Sequence, residues 1–352
     1  MVATTVKQGS RSEHRTAAIG RGITYVLLLL GSVLFMLPFL YLLGTGMKTA
    51  AETSEFPPKL LPTTDVTTVV DSRSVPVQSL KDGRTVAVVK TTAEGVEVQP
   101  LDADLRISGA REVVQAGDLK DYTRLAAFRS NLRQSLTMLP FRQFLGNTLI
   151  IVFFSVLGGT LSAALCGYGF ARVRFRGREP LFIILLATMM IPGQVTMIPV
   201  YILFKELRWI DTFLPLIVPA WFGGGAFSIF LLRQFFRQIP YEMEEAAKID
   251  GCSPLATWWR IVLPLSFPAL ATVSIFSFMG AWNDYMGPLI YINDTSKYTL
   301  ALGLSLFKGQ YGVDTPHLMM AATLVVLLPV LILFFFAQKH FIQGIVVSGV
   351  KG

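Results

Sequence analysis

The chain has 352 residues, 52% hydrophobic and only 15% charged, with a mean hydropathy of +0.54. Soluble domains carry about 25% charged residues, so this composition excludes an ordinary soluble domain and points to a polytopic membrane protein. The formal net charge of +8 would suit a nucleic-acid partner, but membrane proteins collect Lys and Arg in cytoplasmic loops, and the basic residues of this chain fall there; membrane lipid is the expected surrounding, and no nucleic acid.

Residues 1–22 are polar and basic (Lys7, Arg11, Arg15, Arg21) and read as a loosely ordered cytoplasmic tail. The first transmembrane helix is placed at 23–47, because 23–43 supply about twenty apolar residues, enough to cross a hydrocarbon core. A cleaved signal peptide would have an apolar core of about 7–15 residues, so an uncleaved anchor is expected.

Residues 48–142 break the apolar pattern and read as an extracytoplasmic loop. Residues 55–62, with three prolines, form a stiff exit from the membrane. Val86-Ala87-Val88-Val89 and Val96-Glu97-Val98 are β-type runs, and Lys81-Asp82-Gly83-Arg84 carries the Asp-Gly hairpin signal. A small β-rich insert is expected over about 65–117, with a weakly ordered loop as the alternative; nothing in the sequence assigns it a function.

Residues 143–340 form a five-helix core, with spans expected at 144–170, 180–204, 212–232, 261–282 and 318–337. Pro192, Pro199, Pro215, Pro219, Pro268 and Pro329 fall within or at the ends of these spans, where neighbouring helices or waters satisfy the freed carbonyls. Gly158-Gly159, Gly167, Gly169 and Gly223-Gly224-Gly225 are read as close-packing positions in preference to gating hinges. With the N-terminus inside, Arg172, Arg174, Arg176, Arg178, Arg233, Arg237, Lys248, Arg260, Lys339 and Lys351 are all cytoplasmic, while the two short outer loops hold only Lys205, Arg208, Lys297 and Lys308. The fold class is therefore all-α and polytopic, with six transmembrane helices, a small β-rich extracytoplasmic insert and both termini cytoplasmic, including a tail at 341–352.

The cytoplasmic loop 233–262 is the polar interruption around which the core is arranged. Pro240 suits the first helical position, Glu242, Glu244 and Glu245 favour the positive N-terminal end, and Lys248 sits in the last turn. Gly251 supplies a left-handed stop, and a second helix restarts with Ser253 as N-cap and Pro254 at N1. Such an elbow faces water and is held by membrane helices, so it is where another protein would grip.

No Gly-x4-Gly-Lys-Ser/Thr pattern occurs, so ATP is not bound by that route. His14, His317 and His340 are scattered, and Cys166 and Cys252 lack metal-type spacing, so no metal is expected. The spans hold almost no ionisable residue except Asp284, whereas an ion-driven carrier usually needs intramembrane carboxylates. The energy for any transport would then enter through the elbow.

Glu245-Ala246-Ala247, Asp250-Gly251 and then Ile261-x-Leu263-Pro264 resemble the EAA signature of ABC-importer permeases (type I permease fold), more narrowly the MalG-like subunits of carbohydrate importers. Trp282-Asn283-Asp284-Tyr285 and the terminal Gly349-Val350-Lys351-Gly352 resemble two further marks of that branch. Cys252 stands where the family more often has Ala, and the likeness leaves out the insert.

The resemblance implies a non-enzymatic permease in the cytoplasmic (inner) membrane of a prokaryote, taking up a sugar or related polar solute. Its partners would be a MalF-like second permease, two ATPase subunits that hold ATP and Mg, and an extracytoplasmic solute-binding protein. Glu244, Glu245, Ala246, Ala247, Asp250, Gly251, Ile261, Leu263 and Pro264 would form the ATPase-coupling loop, with Glu245 the charged contact and the two alanines keeping the helix slim. Gly309, Gln310 and Tyr311 align with a loop that probes the binding protein's cleft, with an ordinary turn as the alternative, and Val350, Lys351 and Gly352 align with a tail that reaches the ATPases. Trp282, Asn283, Asp284 and Tyr285 are candidates for the substrate path, although an interfacial aromatic belt is the preferred reading. The rivals from other classes are an ion-coupled secondary transporter of polar solutes and a non-transporting membrane scaffold or receptor.

Overall fold

The computed structural model describes residues 9–53, 62, 66–71, 73–92, 95–102, 105–308 and 315–349. The chain divides into two units, residues 1–135 with 315–324, and residues 136–314 with 325–352.

The first unit begins with helix α1 (Gly9–Gly46). It starts well inside the expected tail, because residues 9–22 contain no proline, Gly20 and Gly22 are tolerated in the helix, and extending an existing helix costs far less than nucleating one. From Tyr25 to Phe35 its apolar side chains are largely exposed (Phe35 by 79%), as a lipid-facing surface requires.

Six strands follow: β1 (Thr67–Val70), β2 (Arg73–Leu80), β3 (Thr85–Thr92), β4 (Gly95–Leu101), β5 (Glu112–Val114) and β6 (Leu119–Asp121). They form one sheet in the order β1-β2-β3-β4-β5, with β6 paired to β2. The β2–β3 hairpin closes at Lys81–Arg84, where Gly83 has φ +90° and its N–H donates to Leu80 O. Val66, Val70, Val75, Val77, Ala87, Leu101 and Leu105 pack one core, and Leu80, Val86, Val96 and Val98 another. The sheet runs to Asp121, past the expected limit of 117, because the short strands β5 and β6 carry too few alternating residues to be read alone.

Helix α2 (Arg124–Met138) then returns to the end of α1. Arg124 grips Glu52 with two bonds of 2.7 and 2.8 Å, and Asn131 Nδ2 donates to Gly46 O and Lys48 O, both at 2.8 Å.

The second unit is helical. It contains α3 (Phe141–Arg172), α4 (Arg178–Thr188), α5 (Gly193–Glu206), α6 (Ala226–Phe236), α7 (Tyr241–Ile249) and α8 (Phe267–Trp282). The last helix, α9 (Pro316–Gly349), runs on beyond the expected span into the expected tail.

Among the described residues, four stretches are long and apolar enough to cross a membrane: 20–46, 141–172, 214–236 and 316–338. Two of the expected spans are instead bent pairs. Helices α4 and α5 meet at 98°, because Pro192 cannot continue the first helix and restricts Ile191. Pro254–Leu265 and α8 meet at 82° across Ser266, between Pro264 and Pro268.

The stretch 214–236 contains a break of its own. Gly223, Gly224 and Gly225 all have positive φ, and a Cβ on Gly224 would stand 2.0 Å from Gly159 O. The glycines thus both turn the chain and admit close packing against α3. The core of this unit joins Ala163, Ala164, Tyr168 and Ala171 of α3 to Ile229, Leu232 and Phe236 of α6 and to Trp258, Val262, Ala269 and Val273.

Candidate functional site

The polar elbow is built as two helical arms around one left-handed residue. Pro240 is the N-cap of α7, one position earlier than its ring geometry suggested, and Tyr241 opens the helix. At the far end Gly251 has φ +79°, its N–H donates to Lys248 O at 3.0 Å, and Cys252 N–H donates to Ala247 O at 2.8 Å. This pair of bonds is a Schellman stop, which satisfies carbonyls that the helix end would leave open. Ser253 Oγ then accepts from Ala256 N–H at 3.3 Å and Pro254 starts the second arm. That arm widens into a π-turn at Trp258–Val262, which buries Trp258 and Val262 in the core while Trp259 remains 60% exposed.

The helix α7 has two faces. Glu244 and Ala247, three residues apart, are buried. Glu245, Ala246, Lys248 and Asp250 are exposed, as are Met243 and Ile249, the latter by 87%. Leu255 of the second arm is exposed as well, by 61%, so the elbow presents large apolar side chains as well as charged ones to its surroundings. Ile261 and Leu263 are half-buried and Pro264 is exposed, so the end of the motif serves the turn into α8.

What holds the elbow is a residue outside the motif, and the sequence reading had used it only for orientation. Arg172, the last residue of α3, is buried with its guanidinium 3.2 Å from Glu244 Oε1. This contact is ionic and is not a well-directed hydrogen bond. Arg172 Nε donates to Phe236 O at 3.0 Å, Nη2 donates to Phe236 O and Ile239 O, and the guanidinium lies 4.7 Å from the centre of the Tyr241 ring. One arginine therefore caps the open carbonyls of α6, supports the first ring of α7 and neutralises its buried carboxylate. Arg233 makes a second anchor. It sits 3.8 Å over the Phe182 ring, donates to both oxygens of Glu179 at 3.1 and 3.2 Å, and reaches Phe170 O at 3.3 Å. The available signal was weak: each is an arginine closing an apolar run.

At the other end of α3, Asn147 Nδ2 donates to Ser296 O (2.9 Å) and Tyr298 O (3.0 Å), and Thr148 Oγ1 accepts from Leu300 N–H (2.8 Å). Asp211 joins this end. It accepts from Asn293 N–H and Asp294 N–H at 3.0 Å and from Lys297 Nζ at 2.7 Å. The Lys297 hydrogen bond, helped by the two backbone donors, holds the Asp211 carboxyl below the usual carboxylate range.

Trp282 is 2% exposed, donates from Nε1 to Val326 O at 3.3 Å and stacks on Phe278. Asn283 Nδ2 donates to Met279 O, and Asp284 Oδ1 accepts from Gly287 N–H. Asp284 also lines a 180 Å³ cavity with Thr148, Ser155 and Thr299. Tyr285 is 40% exposed. Gly309, Gln310 and Tyr311, and Val350, Lys351 and Gly352, lie outside the described residues. No cluster of three potential metal ligands occurs among the described residues.

Residues 155–347 match the model of the family described as "Binding-protein-dependent transport system inner membrane component". The chain is 36% identical over 221 residues to the polygalacturonan/rhamnogalacturonan transport system permease protein YtcP of Bacillus subtilis, covering 58% of this chain and 76% of the relative. It is 30% identical over 234 residues to the trehalose/maltose transport system permease protein MalG of Thermococcus litoralis, covering 65% and 84%. Among solved structures, a chain from a bacterial ABC transporter involved in the import of the acidic polysaccharide alginate superposes with a TM-score of 0.66 at 20% identity, over 93% of this chain and 98% of that one; at this identity the likeness bears on fold alone. The match spans more than half of the chain and includes the elbow, so the chain belongs to the binding-protein-dependent transport system inner membrane components: it is a MalG-like, non-catalytic permease subunit of the ABC-importer class.

Proposed function

We propose that this subunit carries a sugar or oligosaccharide, delivered by a solute-binding protein, across the cytoplasmic membrane of a prokaryote. It would pair with a MalF-like permease and draw its energy from two ATPase subunits that bind ATP and Mg. The exposed face of the elbow (Glu245, Ala246, Ile249, Asp250) is the part that enters the ATPase. The observation that carries this reading is the division of α7 into an accessible face and a face locked to the membrane helices through Arg172–Glu244. A lever needs both: a handle that the motor can hold and a rigid joint to the load. The sugar class is supported by the relatives that share the family. An ion-coupled carrier loses its ground with the family assignment.

Contacts within the second unit support the reading that each bent pair is one crossing, which would make six in all. Arg172 at the end of α3 touches the carbonyl of Phe236, so α3 and the stretch ending in α6 finish on one side. Arg178 starts α4 beside that end, whereas Asp211 lies with the loop held by Asn147 at the start of α3. The bent pair α4–α5 therefore runs from one side to the other. By the same logic Trp258 lies at the Arg172 end and Asp284 at the Thr148 end, which makes the second bent pair a crossing. With the basic end inside, the elbow and both termini are cytoplasmic and the sheet is outside. By resemblance to the family, Gly309, Gln310 and Tyr311 would act on the binding protein, and Val350, Lys351 and Gly352 on the ATPases. Trp282, Asn283, Asp284 and Tyr285 support the outer end of α8.

The test is Glu245→Lys in the assembled transporter, reconstituted with its binding protein. ATP-dependent uptake should fall at least tenfold while membrane level and thermal stability stay within error, since Glu245 is solvent-exposed. Uptake at the wild-type rate would remove the coupling role.

A further inference from the structure

Beside the elbow, and separate from its docking face, lies a concave site of 700 Å³ whose polar wall is almost entirely arginine. It forms where α3 ends, α4 begins and α6 ends, and Arg172, Arg174, Arg178 and Arg237 line it with Glu179 as the only carboxylate. Two of these cations are already engaged. Arg172 is neutralised by Glu244, and Arg178 lies 3.1 Å from Glu179. Arg174 and Arg237 are exposed, and their guanidinium groups make no ion pair or hydrogen bond among the described residues. Two unpaired guanidinium groups facing one cavity repel each other and favour an anion between them.

The rest of the wall is apolar: Phe175 (42% exposed) and Tyr241 (42%) line the cavity. Outside it the exposed apolar face of α4 begins at once, with Leu181, Ile183 and Ile184 between 49% and 64% exposed. An anion-binding cavity at the mouth of a lipid-facing groove combines the two halves of an amphiphile. We propose that this cavity binds a phosphate group, and that the group belongs to an anionic phospholipid whose chains lie along α4. Basic pockets at the cytoplasmic ends of membrane helices take such headgroups.

The cavity is lined by Arg172 and Tyr241, which also hold the base of α7, so its occupant would brace that joint. The assignment to the cytoplasmic leaflet rests on the proposed orientation; the binding chemistry does not.

The experiment uses the assembled, detergent-purified transporter and native mass spectrometry, titrated separately with phosphatidylglycerol, phosphatidylcholine and inorganic phosphate. Wild type should retain phosphatidylglycerol roughly tenfold or more better than phosphatidylcholine, and Arg174→Gln/Arg237→Gln should lose that preference. The charge-preserving Arg174→Lys/Arg237→Lys should keep most of it, which separates charge from folding. Equal competition by inorganic phosphate, lost in the Gln variant, would support the phosphate site and assign its source to solution. Indifference of the Gln variant to all three probes relative to wild type would overturn the proposal. So would normal lipid retention with loss of the ATPase subunits, which would make the cavity a protein contact. None of these readouts depends on transport, so a failure of coupling through Glu245 would leave them unchanged.

Discussion

Glu244 and Glu245 are neighbours with opposite environments, and the difference is energetic. Glu244 shares a dry site with Arg172, and removing one partner from a buried ion pair costs about 3–5 kcal/mol because the other charge is left uncompensated. Glu244→Ala should therefore lower the thermal midpoint of the purified subunit markedly, whereas Glu245→Ala should leave it within the spread of surface substitutions, about 0.5 kcal/mol. Equal midpoints for the two variants would show that the Arg172 contact bears no load. Sequence could list both carboxylates but not rank them, since the partner that turns one inward lies some seventy residues earlier and reads as an ordinary basic residue at the end of a span. Asp211 offers a pH test on the other side. Its carboxyl is depressed by the Lys297 hydrogen bond, so its stabilisation is present above the unfolded value, about 3.9, and is lost as pH falls through the lower folded value. Asp211→Asn should thus be less stable than wild type at pH 7, and the gap in melting temperature should close below pH 4. Because the side chain is one-third exposed, the gap is expected to be small and to shrink with added salt. A gap that widens on acidification would refute the assignment.

Among whole elements, the arms of the elbow were the most legible, because caps act locally: Ser253, Pro254 and Gly251 each do in the structure what their covalent geometry favours. The spans were legible as apolar lengths but not as shapes. Pro38, Pro199 and Pro329 sit inside continuous helices, while Pro192 and the pair Pro264 and Pro268 mark bends of 98° and 82°. The same ring is tolerated or disruptive according to what packs beside it, and that is tertiary information. The glycine break is the sharpest case. A Cβ on Gly224 would meet a backbone carbonyl at 2.0 Å, with no flexible side chain to yield, and would also have to hold φ +60°. Gly251→Ala meets nothing within 4 Å and suffers only its positive φ, a cost of order 1 kcal/mol. Gly224→Ala should therefore abolish recoverable folded protein where Gly251→Ala gives near-normal yield with a slightly lower melting temperature. Comparable yields in detergent would mean that the break can relax.

Over the whole molecule, the sidedness of the elbow depends on whether the bent pair α4–α5 crosses the bilayer. If it crosses, α3 and the stretch ending in α6 run in the same sense, and the elbow lies at the end that carries Arg172. If it turned back, the two would run in opposite senses and the elbow would lie at the other end of α3. The Arg172–Phe236 contact opposes the second arrangement, since it joins the C-terminal ends of the two helices. Charge opposes it as well, because Arg174, Arg176, Arg178 and Arg237 would then be divided between two faces of the membrane. The sheet's own arginines carry no weight here, as long loops are translocated largely regardless of charge. Ile249 and Val113 are exposed reporters for the two regions, at 87% and 59%. With Cys166 and Cys252 replaced and the subunit expressed without the ATPases, Ile249→Cys should react with an impermeant maleimide only after the membrane is opened, and Val113→Cys should react in intact cells. Labelling of both positions from outside would put the motor's handle where no ATP is found, and the lever could not work.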